Sequence, residues 1–236
     1  NKVSEDTIVV KKEEHEFAAL SLAKTKLLSD LVKWAKDRPI WISWKLDGLT
    51  LVVTYDGGKL TKIVTRGNGH IGTNITHLAP AISGIPGTIS EKGHLVVRGE
   101  AVISYTDFEQ FIIESEGDYA TGSLTLKDIE EVKQRHIRWI PFTLVYTERE
   151  LTSWGERMQM LKDLGMNPVE RERIDHPTTE NIQLEIDKFT EKVTSKKNPF
   201  PVDGLVICYD DTAYAATGSV TGHHATRAGF AFKWQD

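Results

Sequence analysis

The sequence predicts an α+β fold of mostly antiparallel sheets flanked by helices. Alternating apolar and β-branched residues surround an Asp56-Gly57 turn, helical periodicity marks several separate windows, and the segments run hairpin, strand, helix, strand, helices, strands. Glu5 to Arg38 reads as a helical lead-in, because Leu20, Leu22, Leu27, Leu28, Leu31, Val32 and Trp34 gather on one broad apolar face and Asp37-Arg38-Pro39 closes it. From Ile40, "WISWKLDGLTLVVTYDGGKLTKIVTRGNG" predicts an antiparallel hairpin. His94–Ile103 predicts a strand and Thr106–Ser115 a helix with Asp107 and Glu109 in its first turn. After the glycine-bearing connector "SEGDYATGS" come a short helix around Leu126–Gln134 and the strand "IRWIPFTLVY". Ser153–Leu164 is expected to be helical with Gly165 as its stop, and Thr179–Lys192 to form a second amphipathic helix. "VDGLVICYD" and "AGFAFKW" predict a closing β pair. Without repeats or linkers, residues 1–236 are expected to form one domain, with 1–38 as its lead-in.

Composition narrows the function classes. Lys+Arg 29 against Asp+Glu 34 gives a net charge of -5, so no global basic surface draws the chain onto a polyanion, and weak, salt-dependent DNA binding is expected. The apolar runs Ala18–Leu22 and Leu49–Val53 are far shorter than the roughly 20 residues of a membrane span. One cysteine, Cys208, excludes an internal disulfide and a thiolate-rich zinc site, and points to a reducing, cytoplasmic compartment.

Lys45 lies in a strand-like segment with Asp47 and Gly48 following, which predicts an amine and a carboxylate on one face. A lysine nucleophile needs help: with an ordinary pKa of about 10.4, losing the proton at pH 7 costs roughly 4–5 kcal/mol. A second cation or a metal nearby favours the neutral amine, and Lys233 is the candidate cation. Alone, Lys-x-Asp-Gly also describes an exposed strand lysine paired to Asp47.

The motif has companions in a fixed order. "HEFAALSL" (His15–Leu22), "KLDGL" (Lys45–Leu49), "TRGNGHIGTNIT" (Thr65–Thr76), "VRGE" (Val97–Glu100), "ATGSL" (Ala120–Leu124), "VDGLVI" (Val202–Ile207) and "AFKW" (Ala231–Trp234) together resemble the nucleotidyltransferase motifs of NAD-dependent DNA ligases, over nearly the whole chain. Arg135 and Phe142 fall, without a gap, where that family has an arginine and a stacking tyrosine.

The resemblance implies a DNA-ligase-type nucleotidyltransferase fold and the adenylation half-reaction. Lys45 attacks the α-phosphorus of NAD, nicotinamide mononucleotide leaves, and AMP stays as a lysyl phosphoramidate until a DNA 5′-phosphate takes it. By the same resemblance Lys233 contacts the α-phosphate, Asp203 helps to hold Mg2+ or orients the phosphate, Glu100 accepts from one ribose hydroxyl, and Arg66 reaches the other. Asp47 belongs to the nucleophile motif. Phe142 stacks on one adenine face, Val206 closes the other, and the backbone at Ser21 and Leu22 lines the pocket. Implied partners are nicked DNA and flanking ligase domains, with no membrane, and a monomer is expected. Read singly, Phe142 and Val206 also suit plain core, Arg66 and Glu100 a surface ion pair, and His15 a structural role. Gly67, Gly69 and Gly72 read as turn residues and His223-His224 as loop.

Departures from the family pattern bear on function. Ser43 replaces a glutamate two residues before the nucleophile, and Cys208 replaces the lysine ending the "DGVVIK" motif. Losing both leaves neither charge unpaired, which predicts altered base reading. Asn68, Thr73 and Asn74 strip carboxylates from the "TRGDGxxGED" loop. Gly117, Thr125 and Ser195 stand where the family has arginines, so nick sealing is expected to be weakened even where adenylation survives. Lys127, Lys196 and Lys197 offer charge nearby without bidentate geometry. The family's nicotinamide-gripping, OB, zinc, helix-hairpin-helix and BRCT modules do not fit within this chain, whose ends fall near family domain borders. Two other readings stay open: an ATP-using polynucleotide ligase or capping-type nucleotidyltransferase, and a non-catalytic nucleotide- or DNA-end-binding module.

Overall fold

A computed structural model describes residues 11–114, 128–218 and 226–234. Chain order is β1 (Lys12–Glu14), β2 (Ala23–Thr25), α1 (Leu28–Ala35), β3 (Ile40–Leu46), β4 (Leu49–Asp56), β5 (Lys59–Thr65), β6 (Ile71–Thr73), a 3-10 turn (Thr76–Ala81), β7 (Leu95–Val102), α2 (Tyr105–Glu114), α3 (Ile129–Gln134), β8 (Arg138–Thr147), α4 (Trp154–Asp163), β9 (Arg171–Ile174), α5 (Thr179–Thr194), β10 (Val202–Tyr209), α6 (Thr212–Ala216) and β11 (Phe230–Phe232). The strands form a four-stranded sheet ordered β5-β4-β7-β8, a five-stranded sheet ordered β2-β11-β10-β3-β9, and the pair β1-β6. Among the described pairs of these strands only β2–β11 is parallel. The predicted α+β architecture is therefore present.

The chain moves from one sheet to the other between Leu46 and Leu49. β3 belongs to the five-stranded sheet and β4 to the four-stranded one, so the expected hairpin is β4–β5 alone, with Gly57 at φ +58 in its turn. Gly48 is obligatory at the crossing: a Cβ there would lie 2.1 Å from the Ala101 carbonyl oxygen.

The helical lead-in needs correction. Among its described residues only Leu28–Ala35 is helical, and short strands precede it. Leu31, Trp34 and Ala35 are buried, but Leu20 and Leu27 are exposed at 51% and 53%, so the apolar residues do not share one helical face. Lys36 and Asp37, both at positive φ, end the helix before Pro39. The segment before β2 instead lies along the four-stranded sheet, where Phe17 stacks on Tyr146 with ring centroids 5.5 Å apart.

The later helices follow their local signals. Ser153 caps α4 by accepting from the Glu156 amide, and Gly165 at φ +91 follows its end. Thr178 and Asn181 form a capping box on α5. That helix buries Ile182, Ile186 and Phe189, with Phe189 edge-on to Trp44 at 4.7 Å. On the four-stranded sheet, Trp139 is buried and its indole donates to the Leu51 carbonyl at 3.1 Å. This satisfied polar atom lets a large ring fill the core without a desolvation penalty.

Candidate active site

Lys45, Asp203 and Lys233 converge at one end of the five-stranded sheet. β3 and β10 pair antiparallel with Lys45 opposite Gly204, and a bulge between Val202 and Gly204 makes Asp203 the extra residue. Such a bulge re-aims the side chain it carries. The Asp203 carboxylate accepts from the Lys45 ammonium through both oxygens at 3.1 Å, and from Lys233 through Oδ2 at 2.8 Å. Burial pushes the Asp203 carboxyl up, but the bonds from Lys233 and Lys45 together with their charges outweigh it, so it sits below the usual carboxylate range. Gly204 permits the bulge: its φ is +154, and a Cβ would stand 2.3 Å from the Phe232 carbonyl oxygen.

Asp47 does not join this cluster. It follows the end of β3, its amide donates to Pro201 at 2.9 Å, and its exposed carboxylate takes no hydrogen bond among the described residues. The lysine's carboxylate partner is thus Asp203, from 158 residues away in sequence, and the alternative reading of a strand lysine paired to Asp47 is corrected: leaving the strand at Leu46 breaks the alternation that would have aligned them.

Glu100 reaches the cluster from the other sheet. It lies on β7 across from Thr50, accepts from the Thr50 hydroxyl at 2.7 Å and from the Gly48 amide at 3.1 Å. Burial raises its carboxyl above the ordinary range, the two donors and the charge of Lys45 oppose that, and Asp203 reinforces it. Nothing in the sequence singles out Thr50, whose contribution depends on strand register.

Arg66 does not pair with Glu100. Its Nε donates to the Ala19 carbonyl at 2.9 Å and its terminal nitrogen to the Ser21 hydroxyl at 2.7 Å. Arg98, lowered by burial and by the like charge of Arg66, donates to the Ala18 carbonyl at 2.7 Å. His15 contacts the Arg66 carbonyl at 2.9 Å, and the Ala19 amide donates to Gly69. Two guanidinium groups and the glycine turn thus seat 15–21 beside β5 and β7. Ser21 is exposed and Leu22 half-buried, with Leu22 methyl carbons 3.2–3.4 Å from where a Cβ on Gly229 would sit.

Val206 pairs with Ser43 across β10–β3, so it occupies the sheet face of Lys45, with Leu205 and Ile207 buried on the opposite face. Phe142, half-buried on β8, packs against the core. Cys208, opposite Trp41, is buried, and burial pushes its thiol up. The expected positions Gly117, Gly122, Ser123, Thr125, Lys127 and His223-His224 lie outside the described residues. No group of three potential His, Cys, Asp or Glu metal ligands occurs among the described residues, nor does any helix there have the length and apolarity to cross a membrane.

Comparison with known proteins gives this geometry a family. The chain is 36% identical over 236 residues to the DNA ligase of Lachnoclostridium phytofermentans, covering 95% of this chain and 35% of that protein. It is 33% identical over 233 residues to the DNA ligase of Leptospira biflexa, covering 94% and 34%. The chain thus spans about a third of the length of these relatives. Among solved structures, a putative ATP-dependent DNA ligase from Aquifex aeolicus aligns over 93% of this chain and 51% of its own, with a TM-score of 0.54 at 14% identity. An archaeal ATP-dependent RNA ligase aligns over 92% and 48%, also at 0.54, with 15% identity. At such identities these two establish a shared fold. The model of the NAD-dependent DNA ligase adenylation domain matches residues 9–236, and with two sheets meeting at a lysine held by Asp203, the chain belongs to the NAD-dependent DNA ligase adenylation domain family.

Proposed function

We propose that the chain forms a lysyl-AMP intermediate on Lys45 with NAD as AMP donor, and hands the AMP to a DNA 5′-phosphate for nick sealing. The observation that carries this reading is the sharing of one carboxylate by two ammonium groups, Lys45 and Lys233 on Asp203. Lys45, deprotonated, attacks the α-phosphorus; the P–N bond forms as the bond to nicotinamide mononucleotide breaks. Lys233, bound to the same carboxylate as Lys45, neutralises charge growing on the phosphoryl oxygens. Asp203 holds both chains in place. The family's 5′-phosphate step and final attack by a 3′-hydroxyl release AMP.

The ribose falls to Glu100, whose carboxylate is anchored by Thr50 and Gly48, and to Arg66 once its bond to Ser21 is exchanged. Val206 and Phe142 flank the adenine, with Ser21 and Leu22 at the pocket edge. Asp47, exposed at the sheet crossing, is assigned to the outer side of the same site.

Magnesium fits as an ion held by few protein ligands. Asp203 is near enough to Glu100 for its charge to help raise the Glu100 carboxyl, and magnesium commonly takes one or two carboxylates with phosphate and water completing its shell. When bound it supplies charge neutralisation at the phosphoryl oxygens. Nicked DNA and flanking ligase domains are the partners this reading requires. A monomer and a cytoplasmic location accord with it and with a single cysteine.

The test is the intact mass of the protein after incubation with magnesium and either NAD or ATP, with Lys45→Ala as control. One AMP gained from NAD and lost in the control is the expected result. Gain from ATP alone assigns the chain to ATP-using nucleotidyltransfer. No gain from either, with flanking sequence restored, marks a binding module and overturns the proposal.

A further inference from the structure

Strand β9 carries to the face of the sheet that holds Lys45 a cation with no carboxylate partner among the described residues. Arg171 pairs with Ser43 across β9–β3, and Ser43 pairs with Val206 across β3–β10. Val206, Ser43 and Arg171 therefore form one row, with the short serine in the middle, and Lys45 lies on the same face two residues along β3, about 7 Å away. The Val169 amide donates to the Pro141 carbonyl at 2.9 Å, which seats the β8 stretch bearing Phe142 beside the start of β9.

Arg171 differs in its hydrogen bonding from Arg173, two residues along the same strand. Arg173 pairs with Asp175 and Asp210, and Arg149 with Glu91. Arg171 is half-buried and, among the described residues, donates only to the Val169 carbonyl at 3.2 Å and has no acceptor for its buried Nε. Desolvation lowers its pKa, opposite to the effect that a carboxylate partner has on Arg173. A desolvated guanidinium without a counter-charge costs stability, and a ligand acceptor recovers that cost.

We propose that Arg171 is a specificity-determining residue of the nucleotide pocket, donating a hydrogen bond to an acceptor nitrogen of the adenine ring. This rests on the nucleotide-site reading above. With the α-phosphate at Lys45 and the ribose at Glu100, the base extends along β3 toward Ser43. Guanidinium has donors only, so it meets a ring nitrogen and not the exocyclic amine. Ser43 and Cys208 supply no charge on this face, and Arg171 enters it from the strand on the other side.

The experiment is calorimetric titration of the full chain with AMP and with 1-, 3- and 7-deaza-AMP, each lacking one ring acceptor. Parent, Arg171→Gln and Arg171→Lys are compared, with melting curves for all three. Arg171→Gln is expected to weaken AMP binding about 10- to 100-fold. One deaza analogue should bind the parent weakly by a similar factor and be insensitive to the substitution, whereas the other two remain sensitive. If Arg171→Gln does not fold, Arg171→Lys carries the same cycle, because it keeps the charge and loses the planar fork. Unchanged AMP affinity in a folded variant, or an equal penalty for all four nucleotides, overturns the assignment and leaves the nucleotide site standing. A parent that binds no adenine nucleotide overturns the site reading itself and this one with it.

Discussion

The Gly48 amide donates to the Glu100 carboxylate at 3.1 Å, so the backbone that carries the chain out of β3 is tied to β7 of the other sheet. The bond links the position of Lys45 to that of Glu100 although the two belong to different sheets.

Glu100 illustrates a conflict between stability and binding. Burial raises its folded pKa, so the folded state takes up that proton more readily than the unfolded chain. Its contribution to stability is greatest at low pH and falls as pH rises through the folded value. Glu100→Gln is expected to gain stability relative to the parent as pH rises above the ordinary carboxylate range, read from urea midpoints. It should weaken AMP binding about 10- to 100-fold by removing a charged acceptor. A parent and variant with parallel pH dependence would remove the half-buried carboxylate from the account.

Asp203→Asn tests the shared carboxylate. Lys45 and Lys233 would then face each other across a neutral amide, and repulsion would displace one of them. Formation of the lysyl-AMP adduct should fall by about 100-fold, the scale of losing a group that positions reacting partners. A melting temperature within a few degrees of the parent would separate this loss from unfolding. Undiminished adduct formation would argue that the lysines are positioned without it.

Gly204→Ala tests the bulge. Its φ of +154 and the 2.3 Å approach to Phe232 leave no space for a methyl group. A loss of about 1–3 kcal/mol in urea unfolding is expected, with adduct formation reduced because Asp203 moves with the bulge. A neutral effect on both would show that β10 accommodates the side chain by shifting register.

His94 bridges the chain before β2 to the four-stranded sheet. Its ring nitrogens lie 2.6 Å from Asp56 and 2.8 Å from Glu16. Burial lowers its pKa, but the bonds and charges of Asp56 and Glu16 more than compensate, and the net shift is upward. Its stabilisation is therefore full below the unfolded value near 6.5 and lost as pH rises through the folded value. Melting temperatures should fall between pH 6 and pH 8.5 in the parent and less so in His94→Gln. The effect is expected to be under about 1 kcal/mol, since Glu16 and Asp56 are about half exposed.

Some of this was legible in the sequence for physical reasons. Asp56-Gly57 marks β4–β5 because a tight turn has a local chemical signature, and Ser153, Thr178 and Gly165 mark helix ends for the same reason. β1, β2 and β6 have three residues each, too few for alternation to register. β9, "RERI", is an edge strand whose charged residues resemble a loop. The passage of β3 into another sheet depends on partners more than a hundred residues away, which periodicity does not sense. At the site, the ordered motifs mark Lys45, Asp203 and Lys233, but the bulge that selects Asp203 over Asp47 as partner, and the orphaned donor of Arg171, arise only from strand register.

Cys208 sits on the strand that carries Asp203 and Val206, and it is the chain's sole thiol. Buried and held protonated by its surroundings, it is shielded from electrophiles while β10 stays paired between β3 and β11. Its alkylation rate is therefore a built-in clock for the opening of that strand. A nucleotide that braces the sheet would slow the clock, which provides a covalent readout of occupancy without any reporter group being added.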